Sequence, residues 1–178
     1  MKNVDTTKNI GLRGITVADT QISMVDGVAG KLFYRGFAIQ DLAKQASFEE
    51  IMYLLLKGQA PNSEQLRSVT EALQENRDLP EEVIKILHTR RKTATPMDVM
   101  QGVVTVLADS DPDLTSKNRD AVYASCLRLI SRFGSVAAAW QRIRNGQDPV
   151  VLEKKQSHAA AIMQEQWEKQ HSEAKEKQ

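Results

Sequence analysis

The feature that most constrains the fold is a series of helix start and stop signals that begins at Ser47. Ser47 and Glu50 have the spacing of a capping box, in which the serine hydroxyl accepts from the Glu50 amide and the Glu50 carboxylate reaches back to the serine amide. Gly58 is placed to end that helix in the left-handed conformation. Pro80 and Thr95 stand where later helices are expected to begin. These signals predict a mainly α-helical fold.

Hydrophobic periodicity assigns an inward face to three of these helices. The residues expected inside are Ile51, Leu54 and Leu55 after Ser47, Leu66, Val69 and Leu73 after Pro61-Asn62-Ser63, and Val83, Ile84 and Leu87 after Pro80. The helix from Pro96 to Leu107 is apolar over much of its circumference, so we expect it to be buried on more than one side. A further long helix is predicted from about Asn118 to Arg144, where Asn145-Gly146 ends it.

The first forty residues have the two-residue period of β-strands instead. Apolar and other residues alternate over Ile15–Ala18 and again over Ile22–Val25. Asp26–Gly30 has the composition of a turn, and Lys31–Tyr34 follows it as a second short strand. The pattern predicts a small β-hairpin arm that ends at Arg35-Gly36.

The last fifteen residues differ from the rest of the chain. Over residues 164–178 the only apolar side chains are Trp167 and Ala174, which stand among glutamine, glutamate and lysine. We expect this stretch to be a solvated tail. The sequence therefore divides into an N-terminal arm over residues 1–40, a helical region over residues 41–163 and a polar C-terminal tail over residues 164–178.

Composition excludes several classes of protein. The 178 residues carry a formal net charge of +1, which gives no reason to expect a nucleic acid or an anionic membrane as partner. The single cysteine, Cys126, rules out an intramolecular disulfide and fits a reducing compartment. No apolar run reaches the roughly 18–20 residues of a membrane helix, and the N-terminus has no secretory signal. We therefore expect a soluble, cytoplasmic globular protein.

Several runs of the sequence resemble the citrate synthase family, which includes citrate and 2-methylcitrate synthases, and they occur in the family's order. These runs are Gly11–Thr20, Tyr34-Arg35-Gly36 with Asp41-Leu42-Ala43, Ser47–Glu50 with Tyr53–Leu56 and Gly58, Leu79-Pro80, Pro96–Met100, Ala139–Gly146 and Ser157–Ala160. They cover roughly residues 9–163 and match the N-terminal part of family members. Because so many runs are collinear, a chance resemblance is excluded.

The resemblance implies a fold and a chemistry. Family members are mainly helical, with a large domain that dimerises through packed helices and a small domain that closes over the substrate. They condense an acyl-CoA with a 2-oxo acid: a carboxylate deprotonates the thioester methyl group and a histidine polarises it toward an enol. In the family these groups all lie after the segment matched here. The resemblance therefore carries no catalytic, cofactor-binding or metal-binding residue onto this chain, and acyl-CoA is expected only as a substrate of the complete enzyme.

The three histidines are the first residues to consider as sites. His158 matches a family histidine that opens a helix ahead of the active-site histidines, so we interpret it as a helix-start or interface residue rather than a catalytic one. His88 stands at a predicted helix end, where an imidazolium interacts favourably with the helix dipole. His171 lies in the polar tail and is expected to be inert. Three scattered histidines and one cysteine do not have the spacing of a metal site.

The other candidate residues also have simpler interpretations. Cys126 lies among apolar residues and is interpreted as a small buried hydrophobe. Asp19 and Asp41 belong to family runs but do not form the carboxylate–histidine pair that enolisation needs. The basic run Arg90-Arg91-Lys92 could contact an anion such as CoA, although a solvated loop is the favoured interpretation.

Two hypotheses about function remain at this stage. The first is a subunit of a split citrate synthase-like enzyme, which supplies scaffold and interface while a partner chain carries the catalytic residues. The second is a non-catalytic dimerisation or regulatory protein derived from the family. A fragment of a longer enzyme is a third possibility, and we disfavour it because the sequence diverges from the family before it stops. In the first two cases the helices at Pro96–Leu107 and Ala121–Arg144 are expected at a homodimer or heteromer contact, with the small residues Ser135–Ala139 allowing close approach and Ala138 buried in that contact.

Overall fold

The computed structural model describes residues 18–149 and 155–163 of the chain. A three-stranded antiparallel sheet opens it, in the order β1 (Ser23–Asp26), β2 (Lys31–Tyr34) and β3 (Phe37–Ala38). Asp26 Oδ1 accepts from the backbone N–H groups of Val28 and Ala29 at 3.1 and 2.9 Å, which closes the turn between the first two strands. The predicted hairpin is confirmed, and β3 was not predicted because two residues are too short to show a period. The alternation at Ile15–Ala18 falls almost wholly outside the described residues.

Six helices follow within the described part of the chain. They are α1 (Ile39–Gln45), α2 (Phe48–Lys57), α3 (Ser63–Glu75), α4 (Glu81–Thr89), α5 (Pro96–Asp109) and α6 (Arg119–Arg144). A further short helical segment covers residues 158–163. The mainly helical fold with a small N-terminal β-arm is therefore confirmed.

The predicted helix boundaries correspond to observed caps. Both hydrogen bonds of the capping box at Ser47 are present, and Gly58 ends α2 with a φ of +84°. The side chain of Thr95 accepts from the Asp98 amide at the start of α5. Pro80 lies one position earlier than predicted, at the N-cap of α4 rather than inside its first turn. Local side-chain chemistry thus determines where these helices begin and end.

The long helix α6 contributes to two hydrophobic clusters. The apolar cluster, as we call it, joins α4 and α5 to the C-terminal half of α6, and its buried members are Val83, Leu87, Val99, Val103, Leu107, Val136, Ala139, Trp140 and Ile143. The second cluster joins α2 and α3 to the N-terminal half of α6 and buries Met52, Tyr53, Val69, Leu73 and Leu127. The predicted inward residues of α3 and α4 belong to these clusters or pack against them.

Two predictions about buried faces are wrong. The buried residues of α2 are Glu49, Met52, Tyr53 and Leu54, whereas Ile51 and Leu55 are only half-buried. Because α2 is apolar from Ile51 through Leu56, its period alone could not choose the face. In α5 the buried residues form one stripe, Val99, Val103 and Leu107, and Met97 is 69% exposed. α5 contacts both α4 and α6, but its remaining face, which carries Met97, stays exposed.

An ion-pair cluster fastens the loop between α5 and α6. Arg128 on α6 donates from Nε and Nη2 to the two carboxylate oxygens of Asp111, at 3.1 and 2.6 Å, and its Nη2 also reaches Asp113 Oδ2 at 2.6 Å. Ser125 Oγ donates to Asp111 Oδ2 at 2.9 Å. The hydrogen bonds from Arg128 are the main reason why the pKa of Asp111 falls from 3.8 to about 2. This cluster therefore holds the loop most firmly when Asp111 is ionised.

Candidate functional site

A buried group of polar residues lies where α2, the end of α3 and α6 meet residues 155–163. We call it the polar cluster and define it as Glu49, Gln74, Arg77, Gln156 and His158. The backbone N–H of His158 donates to Glu49 Oε1 at 2.7 Å. Arg77 Nη2 and Gln74 Nε2 both donate to the carbonyl oxygen of Gln156, at 2.6 and 3.2 Å. Side chains of α2, of α3 and of the loop that follows α3 thus hold the backbone of the 155–163 segment in place.

The sequence of this segment explains its local structure. Ser157 precedes the helical residues, and its Oγ accepts from the Ala160 amide at 3.3 Å in the manner of an N-cap. His158 is the first helical residue, so its amide has no partner within the helix. Glu49 supplies that partner with a carboxylate, which the positive end of the helix favours. The imidazole ring of His158 stacks on Phe48, with ring centroids 4.8 Å apart.

Helix α6 closes the other side of the polar cluster. A Cβ atom on Gly134 would lie 2.6 Å from Ile162 Cδ1 and 3.0 Å from His158 Cε1, so only glycine fits there without displacing a neighbour. Ser131 Oγ donates a short hydrogen bond to the Leu73 carbonyl. Ser135 Oγ is buried beside the imidazole and has no hydrogen-bond partner within the described residues. The packing leaves no space for a bound molecule.

Burial determines the protonation of this cluster. Glu49, Arg77 and His158 are 4%, 3% and 6% exposed, so solvent screens their charges poorly. Burial lowers the pKa of His158, the positive charge of Arg77 lowers it further, and Glu49 opposes both effects. Burial also lowers the pKa of Arg77, while Glu49 raises it. The imidazole is therefore neutral at neutral pH, and a closed site of this kind can position a segment but cannot admit a substrate.

Two of the histidines singled out in the sequence are among the described residues. His158 begins a short helix as predicted and is held by its backbone rather than presented to solvent. His88 is exposed in the last turn of α4, the predicted helix end. His171 and Trp167 lie in the tail, outside the described residues.

The other candidate site residues among the described residues do not form a common site. Asp19 and Asp41 are exposed, and Arg90-Arg91-Lys92 is exposed at the α4–α5 connection. Cys126 is half-buried rather than fully buried. Within residues 18–149 and 155–163, no three histidine, cysteine, aspartate or glutamate side chains group as metal ligands would. The same part of the chain contains no helix that is long and apolar enough to cross a membrane.

The prediction that Ala138 is buried in a subunit contact needs correction. Ala138 is 1% exposed inside this chain, and its neighbours Val136 and Trp140 are 0% and 1% exposed. The small residues allow α6 to pack closely within its own chain, so Ala138→Glu would unfold the protein and could not report on association.

Sequence reasoning missed Glu49 and Arg77. Glu49 was read only as part of the family run around the capping box, yet it lies three and four residues before the buried Met52 and Tyr53. A carboxylate on the apolar face of a helix was the available signal. Arg77 follows α3 in a loop, where no periodicity marks a residue as buried.

An open cavity of about 330 Å³ lies beside the sheet and is lined in part by Thr20, Phe33 and Arg35. Its charged lining residue, Arg35, already donates from Nη2 to the Leu55 carbonyl near the end of α2, at 2.8 Å. Arg35 therefore fastens the sheet to α2, and the described residues that line the cavity include no acid–base pair.

The chain is similar to known proteins over most of its length. Residues 11–177 match the family model described as "Citrate synthase, C-terminal domain". A citrate synthase from Acidithiobacillus ferridurans is 36% identical over 158 residues, which are 86% of this chain and 41% of that protein. The chain thus spans about two fifths of the length of this curated relative.

Solved structures share the fold. The crystal structure of the citrate synthase from Pyrobaculum aerophilum superposes with a TM-score of 0.79 at 24% identity, over 85% of this chain and 40% of that one. A citrate synthase from Thermoplasma acidophilum, in a ternary complex with carboxymethyl coenzyme A and oxaloacetate, superposes with a TM-score of 0.77 at 23% identity, over 85% and 40% of the two chains.

Proposed function

The chain belongs to the citrate synthase family, and from that membership we propose that it is one subunit of a split citrate synthase-like enzyme. A partner polypeptide carries the catalytic residues, and this chain supplies helical scaffold and part of the subunit interface. The complete enzyme condenses an acyl-CoA, such as acetyl-CoA or propionyl-CoA, with a 2-oxo acid such as oxaloacetate. The chain itself binds no cofactor.

The observation that carries the proposal is the difference in coverage. The match takes in 86% of this chain but 41% of the curated relative, so these residues correspond to the smaller part of a family enzyme. The resemblance of the matching runs to the N-terminal part of family members, ahead of the groups that the family uses for enolisation, supports the proposal.

The chemistry of the described residues also supports a scaffold role for this chain and a catalytic role for its partner. Enolisation of a thioester needs a carboxylate and a general acid that both reach the substrate. The buried pair nearest to that requirement, Glu49 and His158, is joined through the histidine backbone and enclosed by Phe48 and Gly134. Such a pair acts on the position of a segment and not on a bound thioester.

An apolar stripe on α6 is a suitable surface for the partner. Val122 and Leu129 are 44% and 40% exposed and lie seven residues apart, on one face of the helix. Cys126 and Phe133 are half-buried on the same face. Contiguous exposed apolar side chains of this kind mark protein interaction sites. A second copy of this chain, a catalytic partner, or both can cover the stripe.

Affinity purification of the full chain from its native cells tests the proposal. We expect a second citrate synthase-family polypeptide in near-equal amount, together with condensing activity in the eluate that neither chain shows alone. Recovery of the chain without such a polypeptide and without activity would contradict the split enzyme. That result would favour the non-catalytic dimerisation or regulatory protein.

The contact surface can be tested separately. Leu129→Glu places a charge on the stripe and should lower the assembled fraction in light scattering, because an unpaired buried charge at an interface costs several kcal/mol. Val28→Glu is the matched control, since Val28 is fully exposed in the β1–β2 turn. Equal assembly of the two variants would rule out the stripe as the contact.

A further inference from the structure

Polar contacts attach the 155–163 segment to the helices. Among the described residues, hydrogen bonds join Gln156 to Gln74 and Arg77, and the His158 amide to Glu49. The His158 ring and Ile162 fill the remaining space against Phe48 and Gly134. The polar contacts and the buried ring therefore lie within one small volume.

The charges that face the imidazole come from two elements. Glu49 approaches from α2 and Arg77 from the loop after α3, and both influence the protonation of the ring. From α6 the neighbouring side chains are Ser131 and Ser135, which are uncharged. Among the described residues, the negative charge that acts on the ring is that of Glu49, and its carboxylate already accepts the His158 backbone N–H.

We propose that His158 is a pH-sensitive switch, and that protonation of its buried ring releases the 155–163 segment from α2, α3 and α6. A proton on the ring creates a second positive charge beside Arg77 in a space that has no room for water. Detachment hydrates the imidazolium and relieves the repulsion. This switch belongs to the chain itself and does not depend on the proposed function.

The direction of the effect follows from the sign of the pKa change. The pKa of His158 is lowered in the attached state, first by burial and then by Arg77. A detached ring has the ordinary value of about 6.5 and binds the proton more readily. Attachment is therefore strongest above about pH 6.5 and weakens as the pH falls toward the lowered pKa, by at most about tenfold per pH unit for one proton.

Release changes the surface of the molecule. Phe48 loses the ring stacked on it, and the buried Ala161 leaves the face of α6 near Gly134. The helices of the apolar cluster do not contact His158 through any charged group, so they should stay folded over the same pH range.

NMR of the full, isotopically labelled chain tests the switch. We expect the imidazole of His158 to titrate below the ordinary value of about 6.5, and the amides of residues 158–163 to lose protection as the pH falls below that value. Amides of the apolar cluster, such as that of Val103, should keep theirs. In His158→Gln the protection of the segment should no longer depend on pH, while the matched control His88→Gln should behave like the wild type.

A second variant covers the case in which His158→Gln does not hold the segment at any pH. Glu49→Gln keeps an oxygen acceptor for the His158 amide but removes the negative charge that favours the imidazolium in the attached state, so the same fall in pH should release more of the segment than in the wild type. Titration of His158 at or above about pH 6.5, or the same pH-dependent loss of protection in His158→Gln, would overturn the proposal.

Discussion

The C-terminal half of α6 and the middle of the same helix pack against different kinds of residue. Its C-terminal half packs Val136, Ala139, Trp140 and Ile143 into the apolar cluster, where contacts with α4 and α5 are made by hydrocarbon and aromatic groups. The middle of α6 lies against the polar cluster, where Gly134 and two serines contact the 155–163 segment. The stabilising free energy of the apolar cluster scales with the apolar area that it buries, and many residues contribute to it. In the polar cluster the stabilising free energy rests on hydrogen bonds, which contribute about 1–3 kcal/mol each because Glu49 and Arg77 are charged. We infer that the apolar cluster holds the helices together and that the polar cluster determines the position of one segment.

Removing Trp140 should have the largest effect, because it is the largest fully buried side chain in the apolar cluster. Trp140→Ala should lower the free energy of unfolding by about 3–5 kcal/mol, measured by urea denaturation. Trp140→Phe is the control: it keeps much of the volume and removes the indole N–H, which has no partner within the described residues. A loss below 1 kcal/mol in Trp140→Ala would show that the helices are not held together mainly by this cluster.

The second prediction concerns the polar contact that holds the α5–α6 loop. It compares the contribution of this contact to the free energy of unfolding with that of Trp140. Asp111→Asn should cost about 2 kcal/mol at neutral pH, because the lowered pKa of Asp111 stabilises the fold whenever the carboxylate is ionised. The wild type should lose this stability as the pH falls from about 4 to about 2, and the variant should not.

Asp113→Asn is the control variant for the stability measurement on Asp111→Asn. Asp113 makes one hydrogen bond with Arg128, and its side chain is 32% exposed against 8% for Asp111. We expect a loss below 1 kcal/mol. Equal losses in the two variants would contradict the assignment of the main contact to Asp111.

Gly134→Ala should have a small effect on global stability and a large local one. The new methyl group would overlap Ile162 and press on His158, at a cost of roughly 1–3 kcal/mol, while alanine regains about 1 kcal/mol of helix propensity. The net loss of about 1 kcal/mol should appear as faster amide exchange in residues 158–163, with the apolar cluster unchanged. Slower unfolding together with an undisturbed segment would show that the close contact is not what holds the segment.

The contrast between the two regions also separates what sequence can predict from what it cannot. Val69, Leu73, Val83 and Leu87 were predicted inside because a 3.6-residue period marks them, and caps such as Ser47 act over four residues. Glu49 and His158 are 109 residues apart, and no local pattern links them. The polar cluster depends on tertiary placement of single side chains, and so it became visible only in the structure.

The most direct test of the central proposal is an assay of the purified chain alone. The proposal is that this family member supplies helical scaffold and no catalytic groups. Release of free thiol from acetyl-CoA or propionyl-CoA in the presence of oxaloacetate should not exceed the buffer blank, because acid–base groups that each contribute about 10²–10⁴-fold are not assembled at an open site in the described residues. A partner that completes the enzyme should restore it. Thiol release by the chain alone, well above the blank and following the protein peak through successive chromatography steps, would contradict the account.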